Sequence, residues 1–212
     1  MHALIRNERE EDHRTVEEVT REAFWNLYVP GCSEHYFVHK MRTHPDFIRP
    51  LACVAVVDGR IVGNIMYTVA GLTNEQGEPL ATASFGPVSV LPELQRRGIG
   101  SSLIQHSLLA AKELGFKVVA IYGDPHNYCK HGFRNGKDLA ISDSNGDHPH
   151  GLLALETEAG VLSGHQWRFR PSPVCECDEG EVGDFDRLFP PKQKGYRYSQ
   201  EIFSIAIRSY LR

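Results

Sequence analysis

Two hydrophobic periods take turns along the chain. "HALIRN" alternates weakly with a period of two, and "DHRTVEEVTREAFWNL" then spaces Val16, Val19, Ala23, Phe24 and Leu27 at helical intervals, which predicts a strand followed by a helix. A second helix is predicted over "EHYFVHKMRTH", stopping before Pro45, whose ring and missing N–H end a helix. "LACVAVVDGRIVGNIMYTVAGL" holds two β-branched runs around Asp58-Gly59, a pair that tolerates positive φ and so predicts a tight hairpin. "ATASFGPVSVLPE" reads as the next strand, with a bulge at Gly86-Pro87 because proline cannot donate to a ladder.

From Gly98 onward, Ile99, Leu103, Ile104, Leu108, Ala111 and Leu114 share one helical stripe, with Gly115 as the residue that ends the helix. "KVVAIYGD" is then a short buried strand, "PHNYCKHGF" a brief helical turn ending at Gly132, residues 135–150 a polar loop, and "GLLALETE" another strand. Past Gly164 the composition shifts to Pro, Gly and acidic residues, and "RLFPPKQKGYRYSQEIFSIAIRSYLR" closes with an amphipathic helix. The expected organisation is one domain over residues 1–164 with a C-terminal extension, 165–212, packed on it.

Composition narrows the partners. With 23 basic and 27 acidic residues among 212, and an isoelectric point near 6.3, the chain has no electrostatic footprint for nucleic acid. No apolar run reaches transmembrane length, and the charged opening "MHALIRNEREEDHRTVEEV" lacks the apolar block of a secretory signal, so no membrane partner and a cytoplasmic location are expected. Five scattered cysteines argue against a disulfide framework. Cys32, His35 and His39 have helix-compatible spacing and Cys175 and Cys177 form a sparse pair, but no second close pair supports a zinc site, and "SDSNGDHPHG" lacks the terminal glutamate of a calcium loop; no metal is expected.

The chemistry concentrates in "LPELQRRGIGSSL". Glycines at 98 and 100, at the mouth of a helix that follows a strand, let backbone N–H groups converge on an anion without Cβ interference, and the helix dipole favours negative charge there. The stretch lacks G-x-x-x-x-G-K-S/T, and "SSL" after Gly100 breaks G-x-G-x-x-G, so neither a P-loop nor a Rossmann turn fits. The bland reading of the same residues is a helix cap and tight turn, with Arg96 and Arg97 facing water.

"QRRGIG" at residues 95–100, followed in order by a helix, a strand and "YCKHGF" at 128–133, resembles the acetyl-CoA signature of the GNAT superfamily of N-acetyltransferases. "GPVSVLPELQRRGIGSSLI" and "GDPHNYCKHGF" are similar, in finer detail, to its YhbS-like branch. The resemblance implies an α/β (α+β) GNAT fold, with a mixed, mostly antiparallel sheet flanked by helices. It also implies acetyl-CoA as acyl donor and a small-molecule or peptide amine that attacks it directly in a ternary complex. By the same resemblance, main-chain groups near Val88, Ser89 and Val90 meet pantetheine and the oxyanion, and Gln95, Arg96, Arg97, Gly98, Ile99, Gly100 and Ser101 hold the diphosphate. Tyr128 is then the general acid that protonates the leaving thiolate.

Two positions depart from the pattern: Asn127 replaces the first tyrosine of the branch's turn, and Ile121 stands where many relatives carry asparagine. "ATASFGPVSV" offers no acid or histidine, so the general base stays open among Glu93, Asp124 and His126. Cys129 reads as a small apolar residue rather than a nucleophile. Phe24, Trp25, Tyr28, Tyr36 and Phe37 either fill the core or line an acceptor pocket. A non-catalytic acyl-CoA-binding or regulatory module is the alternative function, and a homodimer through an edge strand or the last helix is compatible with the pattern.

Overall fold

The computed structural model of the protein describes residues 3–212. Strands β1 (Leu4–Asn7), β2 (Cys53–Val57), β3 (Arg60–Asn74) and β4 (Thr82–Val90) form an antiparallel series. Val57 pairs with Arg60 across the first turn, where Asp58 and Gly59 both take positive φ, 49° and 76°. Those angles belong to the mirror-image turn whose twist matches that of the flanking strands.

The sheet continues through β5 (Val118–Tyr122), parallel to β4, then β8 (Leu152–Glu156) and β6 (Arg134–Asn135), giving the order β1-β2-β3-β4-β5-β8-β6. Strand β3 serves two neighbourhoods: its beginning pairs with β2, and residues 71–74 pair with β9 (Trp167–Arg170), which in turn carries β7 (Ile141–Ser142). The expected mixed, mostly antiparallel sheet is present.

Helices cover both faces: α1 (His13–Phe24) and α2 (Glu34–Met41) on one, α3 (Ile99–Glu113) on the other, with α4 (Pro125–Tyr128), α5 (Glu179–Asp186) and α6 (Tyr198–Ala206) at the margins. Strand alternation divides the core. Ile65 and Tyr67 of β3 join Ile99, Leu103, Ile104 and Ala111 of α3, whereas Met66 between them joins Val16, Val38 and Met41 beneath α1 and α2. No helix among the described residues is long and apolar enough to cross a membrane.

The polar stretch at 135–150 contains parts of β6 and β7, and residues beyond 164 supply β9 and α5. Strands of two residues carry no readable period; pairing with β8 and β9 creates them. The chain beyond β9 then wraps α1 and α2. Val174 enters their core, Ser172 Oγ donates to Asp46 Oδ2 at 2.7 Å, and Arg21 Nε donates to Asp186 Oδ1 at 2.7 Å.

His35 anchors this wrap. Its ring is fully buried between Phe185 and Phe189, Nδ1 lies 3.4 Å from Cys32 Sγ, and Nε2 lies 3.1 Å from Asp186 Oδ1, off the line of a good hydrogen bond. Burial, reinforced by Arg21 against the pull of Asp186, drives the His35 pKa down to about 4, and burial pushes the Cys32 thiol up to about 12. Cys32, His35 and Asp186 therefore hold a neutral thiol and a neutral imidazole, the reverse of what a thiolate nucleophile needs. His39 turns away to Glu17, 2.9 Å from Nδ1. No group of three or more metal-ligating side chains comes together among the described residues.

A pH dependence follows. The folded pKa of His35 lies below its ordinary 6.5, so as pH falls the unfolded chain takes the proton first. Stability from this residue is whole above pH 6.5 and is lost between 6.5 and 4, by about 3 kcal/mol in total. Thermal melts at pH 7 and pH 5 are expected to differ by about 4–8 °C through this group. His35→Gln should flatten that part of the slope; an unchanged slope contradicts the assignment.

Candidate active site

Strands β4 and β5 pair at only two positions, Thr82 with Val118 and Ala83 with Val119. Beyond them the strands part, and residues 84–90 pair on the β3 side alone. A local cause sits in β4: Ile65 faces Val88 but Tyr67 faces Phe85, so β4 carries one residue more than β3 across Gly86-Pro87. Such a bulge bends its strand and raises the twist, which here separates β4 from β5. The bulge expected at Gly86-Pro87 is found.

Alternation decides which groups look into the gap. Leu91 N donates to Val62 O at 2.9 Å, and a Cβ on Gly63 would stand 2.6 Å from Ser89 O, so residues 89 and 91 turn their main chain toward β3. Val88 and Val90 then turn theirs toward the gap. Ser89, grouped with them from the sequence, has its side chain buried beneath α1, donating to Thr20 Oγ1 at 3.2 Å. Gln95 Nε2 donates to Val90 O at 3.0 Å, so this side chain braces the end of the strand.

The gap opens onto the start of α3. Arg96 (φ 60°) and Gly98 (φ 87°) are both left-handed and swing the chain into the helix. No side chain caps it; Ser102 N bonds back to Gly98 O, and the N–H groups of Ile99, Gly100 and Ser101 point out of the first turn. Gly98 serves its backbone angle, since a Cβ there meets nothing within 4 Å. At Gly100 a Cβ would touch only Val90 Cγ2, at 3.7 Å, so its absence leaves room before the amides. Arg96 and Arg97 are exposed and make no ion pair among the described residues. Ser101 Oγ lies 3.4 Å from His131 Nε2, which links the first turn of α3 to the turn after α4.

That second turn carries Tyr128. Pro125 opens α4 and Asp124 caps it, its Oδ1 accepting from His126 N at 2.9 Å. The Tyr128 ring lies against bare Gly123, where a Cβ would fall 2.4 Å from Cε2, and it packs on Phe85 and Phe133 with centroids 5.6 and 6.1 Å away. Burial, followed by the charges of Tyr28 and Asp124, raises the Tyr128 pKa above its ordinary 10, so the phenol holds its proton. Cys129 beside it is exposed, and Gly132 ends the turn at φ 93°.

Of the three base candidates, Glu93 and His126 are exposed, and Asp124 is engaged as the α4 cap. Two residues not singled out as proton carriers are also perturbed. Tyr28, in the loop after α1, has its pKa raised by burial and by the Glu34 and Asp124 carboxylates. Burial likewise lifts the Glu34 carboxyl above the usual carboxylate range, against bonds from its own N–H and that of Ser33. An acid in the first turn of α2 reads from sequence as a dipole partner, so nothing marked it. Trp25 and Tyr36 bond to the C-terminal segment and Phe37 packs on the core, while Phe24 and Tyr28 lie against each other with ring centroids 5.8 Å apart.

Residues 49–135 match the family model described as an acetyltransferase (GNAT) domain, a span that holds the bulged strand, the uncapped helix and Tyr128. The uncharacterized N-acetyltransferase YjhQ of Escherichia coli strain K12 is 32% identical over 83 residues, 39% of this chain and 45% of that protein. The chain thus spans under half the length of this curated relative. Among solved structures, the GNAT family protein YhbS of Escherichia coli in complex with CoA superposes with a TM-score of 0.71 at 21% identity, over 82% of this chain and 91% of that one. A GNAT family acetyltransferase of Brucella melitensis in complex with acetyl-CoA gives 0.64 at 24% identity, over 82% and 99%. The architecture is that of these proteins.

Proposed function

We propose that this chain, which has the GNAT fold and carries a GNAT acetyltransferase domain over residues 49–135, moves an acetyl group from acetyl-CoA to an amine nitrogen. One observation carries the reading: the β4–β5 gap past Ala83 leads directly onto the uncapped N-terminus of α3. A pantetheine arm needs an unpaired strand edge, and a diphosphate needs converging N–H groups, and here the two adjoin.

In this reading the amides of Ile99, Gly100 and Ser101 hold the diphosphate, with Arg96 and Arg97 adding charge, and Val88 and Val90 pair with pantetheine. The amine nitrogen attacks the thioester carbonyl, and an N–H of Val88 or Val90 stabilises the oxyanion. The new N–C bond forms in a tetrahedral intermediate; as this collapses the C–S bond breaks, Tyr128 gives its proton to the departing thiolate, and the second proton that the nitrogen sheds in becoming an amide restores the phenol. Glu34 takes the proton the ammonium must lose. For an amine of pKa about 10.4, being neutral at pH 7 costs about 4.6 kcal/mol, and a positioned base supplies about 3–5.5 kcal/mol. A carboxylate with a raised pKa suits that task better than an ordinary one.

Release of CoA thiol on addition of amines tests the proposal. A binding or regulatory module would be protected from heat by acetyl-CoA yet release no acceptor-dependent thiol. The Glu34 role predicts a rate that climbs with pH through a carboxyl titrating above its ordinary 4.5 and falls only above 10, where Tyr128 deprotonates. Glu34→Gln should lower kcat by about 10²-fold and erase the acid limb. Retention of that limb would assign it to another group.

A further inference from the structure

The C-terminal segment bridges the two sides of the gap. On one side it fastens to the loop after α1: Trp25 Nε1 donates to Gln193 O at 2.9 Å, Gly195 N to Asn26 Oδ1 at 3.0 Å, and Ser199 Oγ to Leu27 O at 2.6 Å. On the other it pairs with the loop before β8, where His150 N donates to Ser209 O and Leu211 N to His148 O, both at 2.8 Å. That loop in turn contacts the end of β5, since Gly123 N donates to Gly151 O at 2.8 Å, five residues before Tyr128. Helix α6 starts at the first anchorage, through Ser199, and leads to the second.

Beneath α6, Phe203 stacks on Tyr28 with ring centroids 4.5 Å apart and planes at 27°, and Phe24 extends the aromatic surface, 5.8 Å from Tyr28. The segment also borders the coenzyme side: Lys192 and Arg197 share with Pro92, Gln95 and Leu27 the lining of a cavity of about 210 Å³. Tyr28 therefore has an aromatic wall behind it and the carboxylates of Glu34 and Asp124 within electrostatic reach. An ammonium group is drawn to the carboxylates and to aromatic faces, and an apolar substituent to the Tyr28–Phe203 stack. A folded protein surface presenting a lysine would have to displace a segment anchored at both ends.

We infer that the C-terminal segment is the roof of the acceptor site, with Phe203 a specificity-determining residue that, together with Tyr28, selects small amines bearing an aromatic or apolar group over lysine side chains in polypeptides. The inference rests on the acetyl-transfer reading and names the acceptor class for that same site.

The test compares 2-phenylethylamine with a lysine-containing peptide by thiol release, in wild type and in Phe203→Ala, Phe203→Leu and Phe203→Tyr. Wild type is expected to favour the arylalkylamine by at least tenfold in kcat/KM. Phe203→Ala should raise the KM for that amine at least tenfold while the KM for acetyl-CoA stays within twofold, and Phe203→Tyr should restore it. Phe203→Leu, which keeps apolar volume, covers the case in which the alanine variant does not fold, and is expected to raise the amine KM severalfold. A wild type that prefers the peptide, or leucine and alanine variants with wild-type acceptor KM, overturns the inference while leaving acetyl transfer intact. A wild type that binds no acetyl-CoA and releases no thiol with any amine removes both.

Discussion

Tyr128→Phe is expected to lower kcat by about 10²-fold or more, with the dissociation constant for acetyl-CoA within twofold of wild type. The variant keeps the ring that packs on Phe85 and Phe133 and lies over Gly123, so the fold around α4 is untouched. Only the hydroxyl goes, and with it the proton that the thiolate would take. Burial has already set that hydroxyl above its ordinary pKa of 10, which keeps it a donor throughout the neutral range. Steady-state turnover at saturating amine, beside calorimetric binding of acetyl-CoA, separates the two quantities. Unchanged turnover would show that the thiolate leaves without Tyr128.

Gly63→Ala should have a large effect for a methyl-sized change, because a main-chain atom stands in the way of its Cβ. Its Cβ would sit 2.6 Å from Ser89 O, and also 3.3 Å from Val90 Cγ2 and 3.4 Å from Leu103 Cδ1. A backbone carbonyl inside a paired strand has nowhere to move, so β3 and β4 must separate where Val88 and Val90 are fixed toward the gap. The expected cost is about 3 kcal/mol or more in stability, read from denaturant unfolding, with at least tenfold weaker acetyl-CoA binding. Gly183→Ala in α5 is the control: a Cβ there meets nothing within 4 Å, so helix propensity predicts an unchanged or slightly stabler protein. Equal stability of the two variants would mean that the β3–β4 contact is looser than the geometry states.

What could be read from the chain beforehand was whatever is encoded within a few residues. Asp58-Gly59 demands two positive φ angles, and Gly86-Pro87 cannot sit in an unbroken ladder. Gly98 and Gly100 expose amides at a helix start, and each of these appears in place. The direction of Ser89 was not accessible, because strand alternation is fixed only once the register with Gly63 and Asn64 is known. Strands β6 and β7 owe their existence to partners far away in sequence. The surroundings of Tyr28 come from distant elements, Asp124 and Phe203, and the Glu34 carboxyl is raised by burial, none of which a local pattern records. The C-terminal segment reads by composition only as an extension packed on the domain, and its reach to both sides of the gap depends on partners in distant loops.

Amide hydrogen exchange at single-residue resolution, with and without acetyl-CoA, addresses the gap and the helix start together. Saturating acetyl-CoA is predicted to slow exchange at Val88 or Val90 and at Ile99, Gly100 and Ser101, while Ser89, already turned toward β3, stays as it was. Unaltered exchange at residues 98–101, or protection confined to Ser89, would contradict a coenzyme held between β4 and the first turn of α3.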